Sequence, residues 1–182
     1  MEMMFLPKVT ISGPPGSGTT TLVSRLSEVR NWNYVNGGEI FRSAASERKI
    51  SIEELSALCK DNLDVDKSLD NTLKQIMISP DSPEIIESRL CGWWAQELKL
   101  DCIKIWISVS DIERAKRIQK REGGNFEDSL EKSRKRQMDD MERYVTLYNI
   151  NLDDLSPYDL IVEADEKNED DVFHIVNDYI GG

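Results

Sequence analysis

The run Gly13-Pro14-Pro15-Gly16-Ser17-Gly18-Thr19-Thr20-Thr21 follows directly on the short apolar run Val9-Thr10-Ile11. A buried strand entering a glycine-rich turn and leaving it as a helix can fold in few ways, and this one matches a phosphate-binding loop, G-x-x-x-x-G-K-[ST], at all but one position. Gly13 and Gly18 occupy the glycine positions and Thr20 the hydroxyl position. Thr19 stands where the pattern has lysine. The chain is therefore expected to grip nucleotide phosphates while something other than a loop lysine neutralises the transferring group.

The residue types fit that task. Gly13, Gly16 and Gly18 permit backbone angles that side chains disfavour, so successive N–H groups can turn inward as an anion nest. A helix beginning near Thr19 adds unpaired N–H groups and the positive end of its dipole. The Thr20 hydroxyl is placed to meet Mg²⁺. A glycine-rich strand-to-helix turn without a ligand is the alternative, and the rest of the chain decides between them.

Strand and helix signals alternate. Lys8–Ser12, Tyr34-Val35, Ile85-Ile86 ending at Glu87, Cys102–Val109 and Leu160–Val162 read as strands, with Gly37-Gly38 closing the second. Helical periodicity appears in Leu22, Leu26 and Val29, in Ile40 and Ala44 of a helix from Glu39, and in Leu69, Leu73 and Ile76. It returns in a long helix from about Glu127 to Tyr148 and in Val172, Ile175, Val176 and Tyr179 behind Glu169-Asp170-Asp171. Ser51 with Glu54 makes a capping box flanked by the staple Ile50 and Leu55. Ser110 and Glu113 start another helix, which Gly123-Gly124 stops. This order predicts an α/β protein, a parallel sheet covered on both faces.

The chain has 182 residues, enough for one domain with an adequate core. Its net charge of −11 disfavours duplex nucleic acid as the main partner. No apolar run is long enough to span a membrane. Met1-Glu2-Met3-Met4-Phe5 lacks the basic region of a secretory signal, so a cytoplasmic location is the expectation. Cys59, Cys91 and Cys102 are odd in number and not in ligand-like spacing, which argues for buried reduced thiols rather than disulfides or zinc. The one histidine, His174, lies in the terminal helix pattern.

The arginines are grouped. Arg114, Arg117 and Arg121 fall at i, i+3, i+7, and Arg136, Asp140 and Arg143 at i, i+4, i+7, so each trio shares one helix face. Either face alone could be a solvated salt-bridged surface. Arg42 and Arg89 each follow a short strand signal, where ligands gather in an open α/β sheet. Phosphoryl transfer is mostly positioning and charge stabilisation, and a guanidinium fork suits phosphate oxygens. An acceptor that is itself a phosphate is already ionised and needs no general base.

With Gly-Gly-Glu-Ile-Phe-Arg (37–42), Glu-Ser-Arg-Leu-Cys-Gly-Trp (87–93), Arg143-Tyr144 through Ser156, and Tyr-Asp-Leu-Ile-Val (158–162), the chain closely resembles the archaeal-type cytidylate kinases from about residue 8 to 180. That family's loop commonly carries Thr-Thr-Thr. The resemblance implies a single P-loop kinase domain over 1–182, a three-layer α/β/α core with a five-stranded parallel sheet. The core would span about 1–36, 84–116 and 144–182, with a monophosphate-binding insertion at about 37–83 and a lid at about 117–143. It implies transfer from ATP, with Mg²⁺, to CMP and dCMP by a monomer or weak homo-oligomer. Gly13, Pro14, Pro15, Gly16, Ser17, Gly18, Thr19, Thr20 and Thr21 would hold the ATP phosphates. Thr20, Arg117, Arg121 and Arg143 would act in transfer, and Arg42, Arg89, Arg136, Asp140 and Arg143 would bind the acceptor.

Some positions depart from the family pattern. Ser88 replaces a usual glycine and crowds the acceptor site. Leu90 stands where bacterial relatives carry a base-reading aspartate, and Glu163–Lys167 differs from the usual Thr/Ser-containing segment. Glu87 is either a second-layer acid for Mg²⁺ or an ion-pair partner. The lid arginines, or Lys8 reaching from the first strand, are the candidates to replace the lysine. Another monophosphate kinase (AMP, UMP or dTMP acceptor), a metabolite kinase with a hydroxyl acceptor, and a non-catalytic nucleotide switch are the rival readings.

Overall fold

The computed structural model describes residues 7–181, so the segment Met1–Phe5 lies outside the described residues. The elements run β1 (Val9–Ser12), α1 (Thr19–Arg30), β2 (Tyr34–Asn36), α2 (Gly37–Arg48), α3 (Ile52–Asp61), α4 (Leu63–Met77), β3 (Ile85–Glu87), α5 (Cys91–Glu97), β4 (Ile103–Ser108), α6 (Asp111–Glu122), α7 (Phe126–Tyr148), β5 (Leu160–Glu163) and α8 (Glu169–Ile180). The five strands form one parallel sheet in the order β2-β3-β1-β4-β5.

This order puts the first strand in the middle. The chain builds one half of the sheet through β2 and β3, then crosses back to add β4 and β5. The connections reverse direction at β1, and such a switch point opens a crevice beyond the carboxyl ends of the strands. Register brings those ends level: Asn36 pairs with Glu87, Glu87 with Ile11, and Ser12 with Trp106. The phosphate loop thus leaves β1 at the centre of the crevice.

Burial explains the layers. Val9, Ile11 and Ile105 point into one core with Leu22 and Leu26 of α1 and Val172, Phe173 and Val176 of α8. On the opposite face Ile86 packs with Leu90, Trp94, Leu73, Met77 and Tyr144. Trp94 is the largest fully buried side chain, and its truncation to alanine should cost about 3–5 kcal/mol. A third, smaller cluster, Ala44, Ala45, Leu55 and Cys59, holds α2, α3 and α4 together. The Ser51 and Glu54 capping box forms as expected, with Ser51 Oγ accepting from Glu54 N at 3.0 Å and the Glu54 carboxylate accepting from Ser51 N at 2.6 Å.

Four local expectations change. Gly37-Gly38 follows the end of β2 as expected but already belongs to α2, which starts at Gly37 rather than Glu39 because Asn36 supplies the cap by accepting from Glu39 N at 2.7 Å. Helix α5 interrupts what the sequence left without an element. Val29 is 61% exposed, off the buried stripe of Leu22 and Leu26. Lys8 precedes β1 at the end of the strand away from the loop and lies 4.9 Å over the Trp32 ring, so it cannot replace the missing lysine. Cys59 and Cys91 are buried free thiols, and Cys102 is partly buried.

Candidate active site

The loop after β1 is built for an anion. Ser17 N donates to Pro14 O at 3.2 Å, and Gly16 (φ 79°) and Gly18 (φ 85°) adopt the left-handed conformation that lets the backbone curl. Gly18 caps α1 without any side-chain hydrogen bond, so the first N–H groups of that helix are left for a ligand. A Cβ at Gly13 would lie 2.5 Å from Ser17 Oγ and 2.9 Å from Ile107 O. The buried Ser17 hydroxyl has no hydrogen-bond partner among the described residues. An uncapped helix, an inward-turned backbone and an orphaned donor together fit a polyphosphate.

Thr19 does not face this nest alone. Its Oγ1 donates to Glu87 Oε1 at 3.0 Å, tying the loop to the end of β3. Burial raises the Glu87 carboxyl above its ordinary range, while the Thr19 hydroxyl and the nearby Arg89 charge oppose that rise. Thr20, one residue on, is exposed and lines the main cleft.

That cleft, about 750 Å³, lies between the β3 end, α2, α4 and α7. It gathers Thr20, Arg42, Arg89, Arg136, Asp140 and Arg143, all anticipated from sequence. Arg89 Nε donates to Asp140 Oδ2 at 2.8 Å, and its Nη1 donates to Gly13 O at 3.1 Å. Arg143 Nη2 donates to Asp140 Oδ1 and to the Tyr144 hydroxyl, each at 3.0 Å. Arg143 Nε lies 3.1 Å from Asp66 Oδ2. A chain of alternating charge therefore runs from the phosphate loop through Arg89, Asp140 and Arg143 to α4. Arg89 and Asp140 also line a second cavity of about 160 Å³ against Pro14 and Pro15. Arg42 and Arg136 are exposed in the cleft, where their guanidinium groups are open to an anion.

The arginines of α6 part company despite sharing a face. Arg117 reaches over the phosphate loop, its Nη1 donating to Ser17 O at 3.5 Å and its Nη2 to Ala164 O, after β5, at 2.9 Å. Arg114, 2% exposed, is buried against α7 and donates to Gln137. Arg121 points to solvent and pairs with Glu122, so in this conformation the structure does not bring it to the site.

Sequence reasoning missed the acids of α4. Asp66 and Asp70 both line the cleft, and Tyr148 donates its hydroxyl to Asp70. Burial pushes the Asp70 carboxyl up to about 6 against the lowering effect of that hydrogen bond. Asp66 is raised by burial too, with Arg143 pulling the other way. The signal available in sequence was two acids spaced i, i+4 beside Leu69 and Leu73, a like-charge pair that an exposed helix has no reason to keep.

Comparison with known proteins gives the family. Residues 9–144 match the family described as an AAA domain. The cytidylate kinase of Methanococcus maripaludis (strain C7) is 36% identical over 170 residues, spanning 92% of this chain and 94% of that protein. That of Pyrococcus furiosus is 38% identical over 168 residues, spanning 92% and 85%. That of Methanosarcina mazei is 39% identical over 163 residues, spanning 89% of each. Among solved structures, shikimate kinase from Bacteroides thetaiotaomicron superposes with a TM-score of 0.60 at 12% identity over 95% of each chain. A protein from Eubacterium ventriosum reaches 0.66 at 19% identity, covering 96% of this chain and 98% of that one. At such identities the structures share the fold alone. The curated relatives carry the family, and with them this chain belongs to the archaeal-type cytidylate kinases, phosphotransferases whose acceptor is a phosphate group.

Proposed function

We propose that the protein transfers the γ-phosphoryl group of ATP to CMP, and to dCMP, giving ADP and the cytidine diphosphate. The observation that carries this reading is the continuity of the Gly13 carbonyl, Arg89, Asp140 and Arg143, which joins the phosphate loop to a cleft lined by further arginines. An acceptor phosphate held by Arg42 and Arg89 would present an ionised oxygen in line with the donor. That oxygen forms the new bond to the γ-phosphorus as the bridging oxygen departs with ADP.

In this reading residues 13–21 hold the donor phosphates. Mg²⁺ would be held by the nucleotide's own phosphates and the Thr20 hydroxyl, with Glu87 behind it, and would supply charge neutralisation. Arg136, Asp140 and Arg143 serve the acceptor's sugar and phosphate. We assign Arg117 and Arg121 to the lid, about 117–143, which closes with the insertion, about 37–83, to exclude water. Arg117, already across the loop, is the cation best placed to stand in for the absent lysine. Both substrates are small diffusible nucleotides, so we assign the activity to the cytoplasm. An ADP-release assay with Mg-ATP and a panel of monophosphates tests the assignment: acceptor-dependent release with CMP and dCMP supports it, and release that no monophosphate stimulates overturns it.

A further inference from the structure

The cleft holds more than arginines. Its walls include the apolar side chains of Ile40, Phe41, Leu69 and Leu73, and among them stand the carboxylates Asp66 and Asp70, one turn apart on α4. Leu90, which also lines the cleft, is 2% exposed and offers no hydrogen-bonding atom. Asp66 is only 8% exposed, and its buried Oδ2 has no hydrogen bond among the described residues: Arg143 Nε is 3.1 Å away but out of line. Buried acceptors of this kind normally find a donor.

A carboxylate can only accept, and a guanidinium can only donate. Asp66 beside Arg143 therefore presents an acceptor next to a donor at the end of an apolar slot. A flat base with an exocyclic amine beside a ring acceptor nitrogen is complementary to that order. A base with a carbonyl beside a ring N–H presents the reverse order and puts its oxygen against the carboxylate.

We propose that Asp66, supported by Asp70, reads the exocyclic amine of the acceptor base, so that the cleft selects the amino-pyrimidine CMP over the keto-pyrimidine UMP. This rests on the monophosphate-kinase reading and deepens it. Arg143, held between Asp140 and Asp66, is that neighbouring donor, its guanidinium set where the acceptor's base edge meets its sugar and phosphate.

The test compares wild type, Asp66→Asn and Asp70→Asn with CMP and UMP, by calorimetric binding and by kcat/KM with Mg-ATP. Wild type is expected to prefer CMP. Asp66→Asn, whose amide can offer an N–H to a carbonyl, is expected to lower the CMP-to-UMP ratio about tenfold or more in both binding and kcat/KM, since hydrogen bonds to charged groups are the stronger ones. A merely structural role would depress both nucleotides together and leave the ratio alone. If Asp66→Asn does not fold, Asp70→Asn reads the same ratio, which is expected to move in the same direction. An unchanged ratio in a folded variant overturns the proposal, as does a wild type that accepts UMP as readily as CMP. In those two cases the kinase reading stands. A wild type that transfers to no monophosphate removes the kinase reading itself.

Discussion

Thr19 Oγ1 lies 3.0 Å from Glu87 Oε1 and donates to it, so the position where a phosphate loop usually carries its lysine is bonded to the carboxylate that ends β3. In the proposed reaction a neutral hydroxyl there would leave charge neutralisation to arginines arriving from other elements. It also shields a buried carboxylate that would otherwise be unpaired on that side.

Thr19→Val should remove this donor and destabilise the protein by about 1–2 kcal/mol at neutral pH. Burial already raises the Glu87 carboxyl, and losing the hydroxyl raises it further. A group whose folded-state value is raised loses stability as pH rises through that value. The difference between variant and wild type should therefore shrink in acid, where Glu87 is protonated. Thermal unfolding at several pH values measures this, and a pH-independent difference would exclude Glu87 as the cause.

Arg89 and Asp140 should act as a unit, because Arg89 bonds both Asp140 and the Gly13 carbonyl. Arg89→Ala is expected to lower kcat/KM for the acceptor about 100-fold, the scale of losing one preorganised charge contact. Asp140→Ala leaves two guanidinium groups without their shared partner. The double variant should lose less than the product of the single losses, with a coupling of about 0.5–3 kcal/mol. Strict additivity would show that the two side chains work separately.

Asp70→Asn should stabilise the fold at pH 7.5. The folded-state value of about 6 exceeds the ordinary 3.8. The folded chain thus keeps a proton that the unfolded chain has released, and stability falls as pH rises through that interval. The asparagine has no such proton to lose and can still accept from Tyr148. Melting temperatures from pH 4 to 8 should show the variant's advantage growing with pH and disappearing toward pH 4; an advantage of constant size would contradict the burial argument. If Asp70 also serves base selection, the gain in stability should come with a loss of selectivity.

Thr20→Ala should raise the Mg²⁺ concentration needed for half-maximal turnover more than it raises the CMP KM, because Thr20 is exposed in the first turn of α1, next to the phosphate loop, although it also lines the cleft. Unaltered Mg²⁺ dependence would remove Thr20 from the donor side.

Much of this is legible in the chain before it folds. The strand at Val9–Ser12, the glycine turn and the Ser51–Glu54 cap are local signals, and they survive because local chemistry decides them. Helix α5 is not legible: it has seven residues, starts after Leu90 with no polar cap, and buries Cys91, Gly92, Trp94 and Ala95, so it lacks both a boundary signal and a clear polar face. Gly92 is set by tertiary contact, since a Cβ there would meet the Tyr158 ring at 2.3 Å. The arginine trio of α6 shows the limit of face arguments. Spacing puts Arg114, Arg117 and Arg121 on one side, but only packing tells that the first is buried against α7, the second crosses the loop and the third meets water. The acids of α4 escaped notice for the same reason: a polar stripe on an amphipathic helix reads as solvated until the neighbouring helix turns it into a cleft.

The most direct test of the account is ADP release with Mg-ATP and, in turn, CMP, dCMP, UMP and AMP, run on wild type and on Arg42→Ala. Strong turnover is expected with CMP and dCMP and little with AMP, and the variant should show a raised CMP KM and a lowered kcat. ATP binding without release stimulated by any monophosphate would contradict it and mark the Thr19 loop as a nucleotide switch rather than a kinase site.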